Sequence, residues 1–432
     1  MARPRARYRG TLRSAITGLL PAARLPLLPA DGKARWTDLL LALAAILMSW
    51  SSAGTLADRF DAARRCLVRW YPGRRRPGAS YAGFVAALRR RGGPLLKLVG
   101  RTYRGHARRL AEGRGCWRVA GRVAFGVDST KHDAPMTAAN ERRLGVASKG
   151  KSWPQLVLTT VFHLGSGLPW AFLRGRARSS ERRHLLGLLR TLPAGALLVA
   201  DAGFTGYDFW RAVAGSGRSF LVRVGANVRL VGGAHLEPKG AGLAWAWPAR
   251  AQKRRSPPLV LRLVALTDGR NRTMYLLTDV LDPAGLDDAA AARLYGLRWG
   301  VEALYRSLKQ AMARRKLLSD APRNARLELA WAFVGLWTLA LAKFERCPAL
   351  PPNQGVAGVL RVFRRAVAGG RPDVGRELAG LRPDGYARAG PKKARHWPHK
   401  KRTRPPGKPR ARNATDAELA LAAELEALNV AA

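Results

Sequence analysis

Between Trp117 and Gly225 the chain passes through strand-like and helix-like segments in an order that limits the folds open to it. Three runs rich in β-branched and aromatic residues come first: RVAFGVDSTKH, WPQLVLTTVFHL and LPWAFLRGRA, divided by turn-forming residues. ERRHLLGLLRTL, from Glu181 to Leu192, then has apolar residues at helical spacing, with Ser179 or Ser180 available as its N-cap. ALLVADAGF reads as a buried strand, Tyr207 to Val213 as a short helix and SFLVRVG as another strand. Three strands, helix, strand, helix, strand predict an α/β fold.

The flanking regions differ in character. From Trp36 to about Leu110 the pattern is helical. Asp38 is positioned to cap a long apolar helix, and YAGFVAALRRRGGPLLKLV continues with amphipathic spacing and basic faces. A helical N-terminal domain is expected over residues 1–115, followed by the first part of the core over 116–225. Residues 226–282 are too many for a structureless loop and contain the strand-like runs PLVLRLVAL and TMYLLTDV, so they predict an inserted β-rich subdomain. Residues 283–385 predict the second part of the core: a helix capped by Asp287 or Asp288 and running through AAAARLYGLRWGVEALYRSLKQAM, then an apolar helix beginning near Arg326. Within residues 386–432, GPKKARHWPHKKRTRPPGKPRAR holds no acidic residue and many prolines, which predicts a flexible basic tail. A short helix is expected from Asp416 to Leu428.

Bulk properties narrow the partners. With 432 residues and 47% hydrophobic composition the chain can bury a full core, yet 77 Lys and Arg face only 28 Asp and Glu. A net charge of +49 exceeds what solubility requires and points to a polyanion, of which nucleic acid is the commonest. A GC-rich codon bias accounts for some of the Arg but not for the shortage of acids. Cys66, Cys116 and Cys347 are too scattered for a disulfide framework or a metal-binding pair. No apolar segment with a cleavage site follows the basic start MARPRARYRG, and the apolar runs Leu39 to Met48 and Leu329 to Ala342 fall short of the ~20 residues that span a bilayer. A cytoplasmic protein without a membrane segment is expected, nucleoid-associated when bound to DNA.

Three carboxylates stand out by joint placement. Asp128 follows the run VAFGV and Asp201 the run LLVA, so each is expected where a strand ends; singly, each reads as a turn or cap residue. Glu302 lies in the amphipathic helix. At about 100° per residue, Tyr295, Arg298, Glu302 and Lys309 fall within about 60° of one another, beside an apolar stripe of Leu294, Leu297, Val301, Leu304 and Leu308. That arrangement predicts a polar wall bordering the core. Asp133 and Asp208 are the neighbouring alternatives for the two aspartates.

The spacing Tyr295, two residues, Arg298, three, Glu302, six, Lys309 resembles the Tyr-Arg-Glu-Lys signature of the IS-four family of bacterial insertion-sequence transposases. LYGLRWGVEALYRSLK is similar to that family's catalytic helix, GVDST to its first-aspartate motif and VADAGF to its second. The likeness covers Trp117 to Ala342. It implies a ribonuclease-H-like core with a β insertion before the glutamate, and a DDE transposase that cuts and joins DNA. Asp128, Asp201 and Glu302 would hold two Mg²⁺ or Mn²⁺ ions, because hard cations prefer carboxylate oxygens, with Asp128 as the expected bridging ligand. Arg298 and Lys309 would hold phosphates and Tyr295 would hydrogen-bond the DNA backbone. The partners implied are double-stranded DNA, both inverted-repeat ends and target, and a second copy of the chain as a homodimer on DNA.

Trp245 and Trp247, in the insertion, occupy the region where some members of that family stack an aromatic side chain on a flipped base; alternating Trp also suits strand packing. His132 and His163 read as local hydrogen-bonding or packing residues. The competing reading is a transposase-derived DNA-binding protein without chemistry, against which the intact triad with its Tyr, Arg and Lys argues. An RNA-binding structural protein is disfavoured by the lack of an aromatic RNP-like motif or Gly-rich loop.

Overall fold

A computed structural model describes residues 10–20, 25, 35–73, 76–146, 153–232, 242–267, 271–347, 355–370, 373–382 and 407–430. Helices α1 (Leu12–Thr17), α2 (Asp38–Trp50), α3 (Leu56–Trp70) and α4 (Tyr81–Gly113) precede strand β1 (Ala124–Asp133). Helix α5 (Ala138–Leu144) and strands β2 (Gln155–His163) and β3 (Pro169–Arg176) follow, then α6 (Glu181–Leu188), β4 (Leu197–Ala200), α7 (Tyr207–Ala214) and β5 (Ser219–Val224). Next come β6 (Arg229–Gly232), β7 (Gly242–Ala246), α8 (Ala249–Lys253), β8 (Leu259–Thr267) and β9 (Thr273–Thr278). Helices α9 (Asp288–Leu297), α10 (Gly300–Arg306), α11 (Pro322–Arg346), α12 (Ala357–Ala368) and α13 (Val374–Ala379) lead to β10 (Arg410–Asn413) and α14 (Asp416–Val430). The chain forms two compact units. The first takes Met1–Trp117, Ser129–Ser180 and Gly300–Pro383; the second takes Arg118–Asp128, Glu181–Trp299 and Asp384–Ala432.

The first unit is mainly helical. In α2 every residue after Asp38 is buried. Its N-cap is Thr37, whose Oγ1 accepts from Leu40 N at 3.2 Å, and not Asp38, which sits one place later and pairs with Arg91 at 2.9 Å. The helix end is held by two guanidinium groups: Arg314 Nη2 donates to the Ser49 and Ser51 carbonyls, both at 2.8 Å, and Arg364 Nε to that of Trp50 at 2.6 Å. Cations suit the negative end of a helix, and these bonds satisfy carbonyls that have no intrahelical partner.

Helix α11 starts at Pro322, earlier than its apolar run suggests, because proline fits the first turn. At 25 residues it is long and apolar enough by length and composition to cross a bilayer, contrary to the shorter span read from the sequence. Its most apolar window is 89% buried inside the protein, so it serves as a core helix. It packs on α2 at Gly335, whose carbonyl accepts from Trp50 Nε1 at 3.1 Å. β2 and β3 form an antiparallel pair in the same unit.

The second unit is built on a sheet in which the strands neighbour one another in the order β10-β6-β7-β8-β9-β5-β4-β1. β1, β4 and β5 run parallel; β9 is antiparallel to β5, and β8 and β7 continue antiparallel. The strands of residues 226–282 therefore extend the core sheet through the β5–β9 pairing. Of the expected flexible tail, residues 390–406 lie outside the described residues, whereas Arg410–Asn413 pairs with β6 as the parallel strand β10. Glu418 fastens α14: it accepts from Arg412 Nη1 at 2.7 Å and Gln252 Nε2 at 2.8 Å, and the Arg412 hydrogen bonds pull its carboxyl down to about 2.

Candidate active site

The two aspartates share one stretch of sheet in the second unit. β1 and β4 are paired in parallel with Ala124 opposite Leu197, Phe125 opposite Leu198 and Gly126 opposite Val199. The paired stretch ends there; Asp128 follows Gly126 by two residues and Asp201 follows Val199 by two. Laterally paired residues of neighbouring parallel strands point to the same face, with backbones about 4.8 Å apart. Burial is complete from Ala124 to Val127 and becomes partial at Asp128. Asp128 is not the end of its strand, as the sequence suggests; β1 continues to Asp133, and what ends at Val127 is the burial. Asp201 does lie immediately after its strand, and its Oδ1 accepts from Gly203 N at 2.9 Å to cap a single 3₁₀ turn. Residue 203 is glycine for a reason: a Cβ there would stand 3.1 Å from Asp201 Oδ1 and 4.0 Å from Glu181 Oε2. A second carboxylate, Glu181 at the start of α6, thus borders the same turn. Sequence reasoning passes over it because Glu181 looks like an ordinary first-turn acid.

The helix read as continuous from Asp288 through Met312 is interrupted. α9 is capped by Asp287, whose Oδ1 accepts from Ala290 N, as expected, but it stops at Leu297. Arg298 and Trp299 close a tighter turn, with N–H groups reaching Tyr295 O at 3.2 Å and Gly296 O at 3.3 Å, before α10 begins at Gly300. Glycine at 296 and 300 weakens the helix on both sides of this break. α10 then passes into a π-helical turn, Ser307–Ala311, where Met312 N reaches Ser307 O at 3.0 Å. Ser307 Oγ donates to Ala303 O at 3.0 Å, a back-bond that bends helices. Regular α-helical rotation of 100° per residue is therefore interrupted twice between Tyr295 and Lys309. Tyr295 and Arg298 belong to the second unit, Glu302 and Lys309 to the first.

Each of the four has a definite setting. Tyr295 is 4% and Arg298 5% exposed, and the Arg298 guanidinium lies 5.3 Å from the centres of both the Tyr295 and Trp299 rings. Tyr295 Oη and Arg298 Nε are buried without a hydrogen-bond partner. Trp299 is 55% exposed. Glu302 is exposed on α10, opposite the buried Val301, Leu304 and Tyr305, and Lys309 is half-buried in the π turn. Among the described residues no group of three or more His, Cys, Asp or Glu side chains is gathered closely enough to hold a metal ion. Asp128 and Asp201 each follow the paired stretch of two adjacent parallel strands.

The remaining candidates separate cleanly. Asp133 accepts from Gln155 Nε2 at 2.7 Å, and Asp208 is ion-paired with Arg250, so both alternatives are engaged elsewhere. Trp247 is 2% exposed and its indole N–H donates to Ser256 O at 2.7 Å, which makes it a packing residue unavailable to a base. Trp245, half-buried on β7, faces Trp247 edge-on at 6.1 Å. His132 Nδ1 donates to Arg314 O at 2.7 Å and His163 bridges Ser166 and Trp117; burial pulls both imidazoles down to about 4, as suits local structural roles.

Comparison with known proteins identifies the family. Residues 120–337 match the family described as Transposase DDE domain. "Putative transposase y4zB" of Sinorhizobium fredii is 26% identical over 224 residues, covering 45% of this chain and 62% of that protein. The transposase InsG for insertion sequence element IS4 of Escherichia coli K12 is 25% identical over 274 residues, covering 58% of this chain and 60% of that protein. The matched region thus spans about six-tenths of the length of these relatives. The cryo-EM structure of a piggyBac transposase synaptic complex with hairpin DNA overlaps 86% of this chain and 78% of that one, with a TM-score of 0.43 and 10% identity. With just over half of its residues inside the family match, the chain belongs to the transposase DDE domain family.

Proposed function

We propose that the chain is a DNA transposase of the IS-four type, which cuts at transposon ends and joins them to target DNA using Asp128, Asp201 and Glu302. The observation that supports this reading is the parallel pairing of β1 with β4, since Asp128 and Asp201 each come two residues after its last pair and both are half-buried. Carboxylates are the donors that hard cations prefer, and we assign Glu302 as the third ligand beside Asp128 and Asp201, although the three are not gathered into one cluster among the described residues. When bound, two Mg²⁺ or Mn²⁺ ions supply Lewis-acid stabilisation of the attacking and leaving oxygens. The protein needs no nucleophile of its own: water breaks the phosphodiester, and the freed 3′ hydroxyl attacks target DNA.

Arg298 and Tyr295 act as phosphate-contacting groups. Their Nε and Oη are buried without a partner, so reaching a phosphate requires these side chains to move out from their present packing. Lys309 adds a point charge. The parallel β1, β4 and β5 and the antiparallel β2–β3 pair support a ribonuclease-H-like core with residues 226–282 inserted. The partners we propose are double-stranded inverted-repeat ends, target DNA and a second copy of the chain on DNA, with residues 1–115 reading end sequence.

The test is cleavage of duplex DNA bearing the sequences that flank its gene, with Mg²⁺ or Mn²⁺, by wild type and by Asp128→Ala, Asp201→Ala and Glu302→Ala. Each variant should lose on the order of a thousandfold in rate. Cutting that survives all three changes would sink the proposal. End binding by a wild type that does not cut would favour a DNA-binding protein without chemistry.

A further inference from the structure

The far end of β1 carries a surface that has no role in cutting or joining DNA as proposed. Asp133 N donates to Arg315 O at 3.1 Å and Leu317 N to Asp133 O at 2.8 Å, so residues 315–317 run beside the strand end as a short parallel bridge. Ala134 N donates to Pro154 O at 2.8 Å, which brings in a third segment. All three lie in the first unit. Together they present two large apolar side chains to solvent, Met136 at 52% and Trp153 at 37% exposure. The Lys316 ammonium stands 4.0 Å from the centre of the Trp153 ring. Lys131, Arg142, Arg143 and Arg315 are exposed on these segments and on α5, while the Asp133 carboxylate is already occupied by Gln155.

We propose that this surface holds an unpaired nucleotide of bound DNA, its base on Trp153 and Met136 and its phosphates on Lys316 and Arg315. An aromatic face interleaved with cations suits single-stranded nucleic acid, because every base has a π-face and every linkage a negative charge. Intact duplex keeps its base faces stacked, so an exposed indole gains a partner only where a base has left the stack. The ammonium and the base occupy opposite faces of the ring, and Met136 supplies an adaptable apolar edge. The proposal rests on the DNA-cutting reading for its partner.

The experiment uses the full chain in EDTA with duplex DNA ending in a single-stranded flap that carries one 2-aminopurine at successive positions. Wild type should quench the fluorescence at a position within the flap and leave a 2-aminopurine inside the duplex unquenched. Trp153→Ala should abolish that quench and weaken flap DNA binding on the order of tenfold, with fully paired DNA unaffected. Trp153→Phe should restore both, and Lys316→Gln should weaken binding without removing the quench. Since Trp153 is a surface residue, thermal melting of the variants should match wild type. Identical quench profiles for wild type and Trp153→Ala, or equal losses on flap and paired DNA, would overturn the proposal. Because no metal is present, failure of DNA cutting is read separately: a quench that depends on Trp153 in a protein that does not cut DNA leaves this surface intact and removes the transposase reading alone.

Discussion

At the residue scale, polar groups in this chain are used according to what surrounds them. Asp279 accepts from Phe220 N at 2.8 Å but is largely buried, and desolvation raises its carboxyl to about 6. A raised carboxyl favours the protonated folded state, so its contribution to stability is present below about pH 4 and is lost as pH rises through about 6. Asp279→Asn removes this titration while keeping an acceptor. The stability of the variant relative to wild type, measured by urea unfolding, should therefore rise between pH 4 and pH 6.5; a flat difference would contradict the assignment. Trp247 gives a second check. Replacing it by Ala deletes a buried indole and its bond to Ser256 and should cost about 3–5 kcal/mol, whereas the half-buried Trp245 should cost less.

At the element scale, the tightest packing is between α2 and α11. A Cβ on Gly335 would stand 1.8 Å from Ser49 Oγ and 2.9 Å from Ser49 Cβ, so Gly335→Ala must push the helices apart. Helix propensity alone would favour the alanine by about 1 kcal/mol. The predicted outcome is instead a net loss of about 1–3 kcal/mol in denaturant midpoint experiments, as expected for overpacking. Much of this architecture is legible in the sequence: the runs before Asp128, before Asp201 and around Glu181 form β1, β4 and α6 because period and β-branching are local signals. The break at Arg298 and Trp299 is not legible. It falls between Gly296 and Gly300, each a weak signal alone, and a second irregularity, the π turn with its Ser307 back-bond, follows further on. Likewise Thr37 takes the cap in place of Asp38 because both residues suit the position and only backbone geometry decides.

At the scale of the whole chain, charge and sheet edges set behaviour. Pairing of Arg410–Asn413 with β6 covers an edge that would otherwise expose unpaired backbone groups. Deleting residues 407–432 should increase aggregation measured by light scattering, an effect unrelated to DNA. Neutralising the Lys and Arg of GPKKARHWPHKKRTR should instead flatten the dependence of DNA affinity on salt, by about 0.9 in log–log slope for each phosphate no longer neutralised, with sequence preference retained. The net charge announces a polyanionic partner from composition alone. The pairing of β1 with β4, the strands that lead to Asp128 and Asp201, cannot be read there, because it joins segments 73 residues apart. The most direct measurement of the central claim is titration of Mn²⁺ into the protein–DNA complex by calorimetry, comparing wild type with Asp128→Asn and Asp201→Asn. Loss of the tight Mn²⁺ sites in both variants, with DNA affinity in EDTA unchanged, is the predicted result; Mn²⁺ binding that is the same in all three proteins would contradict it.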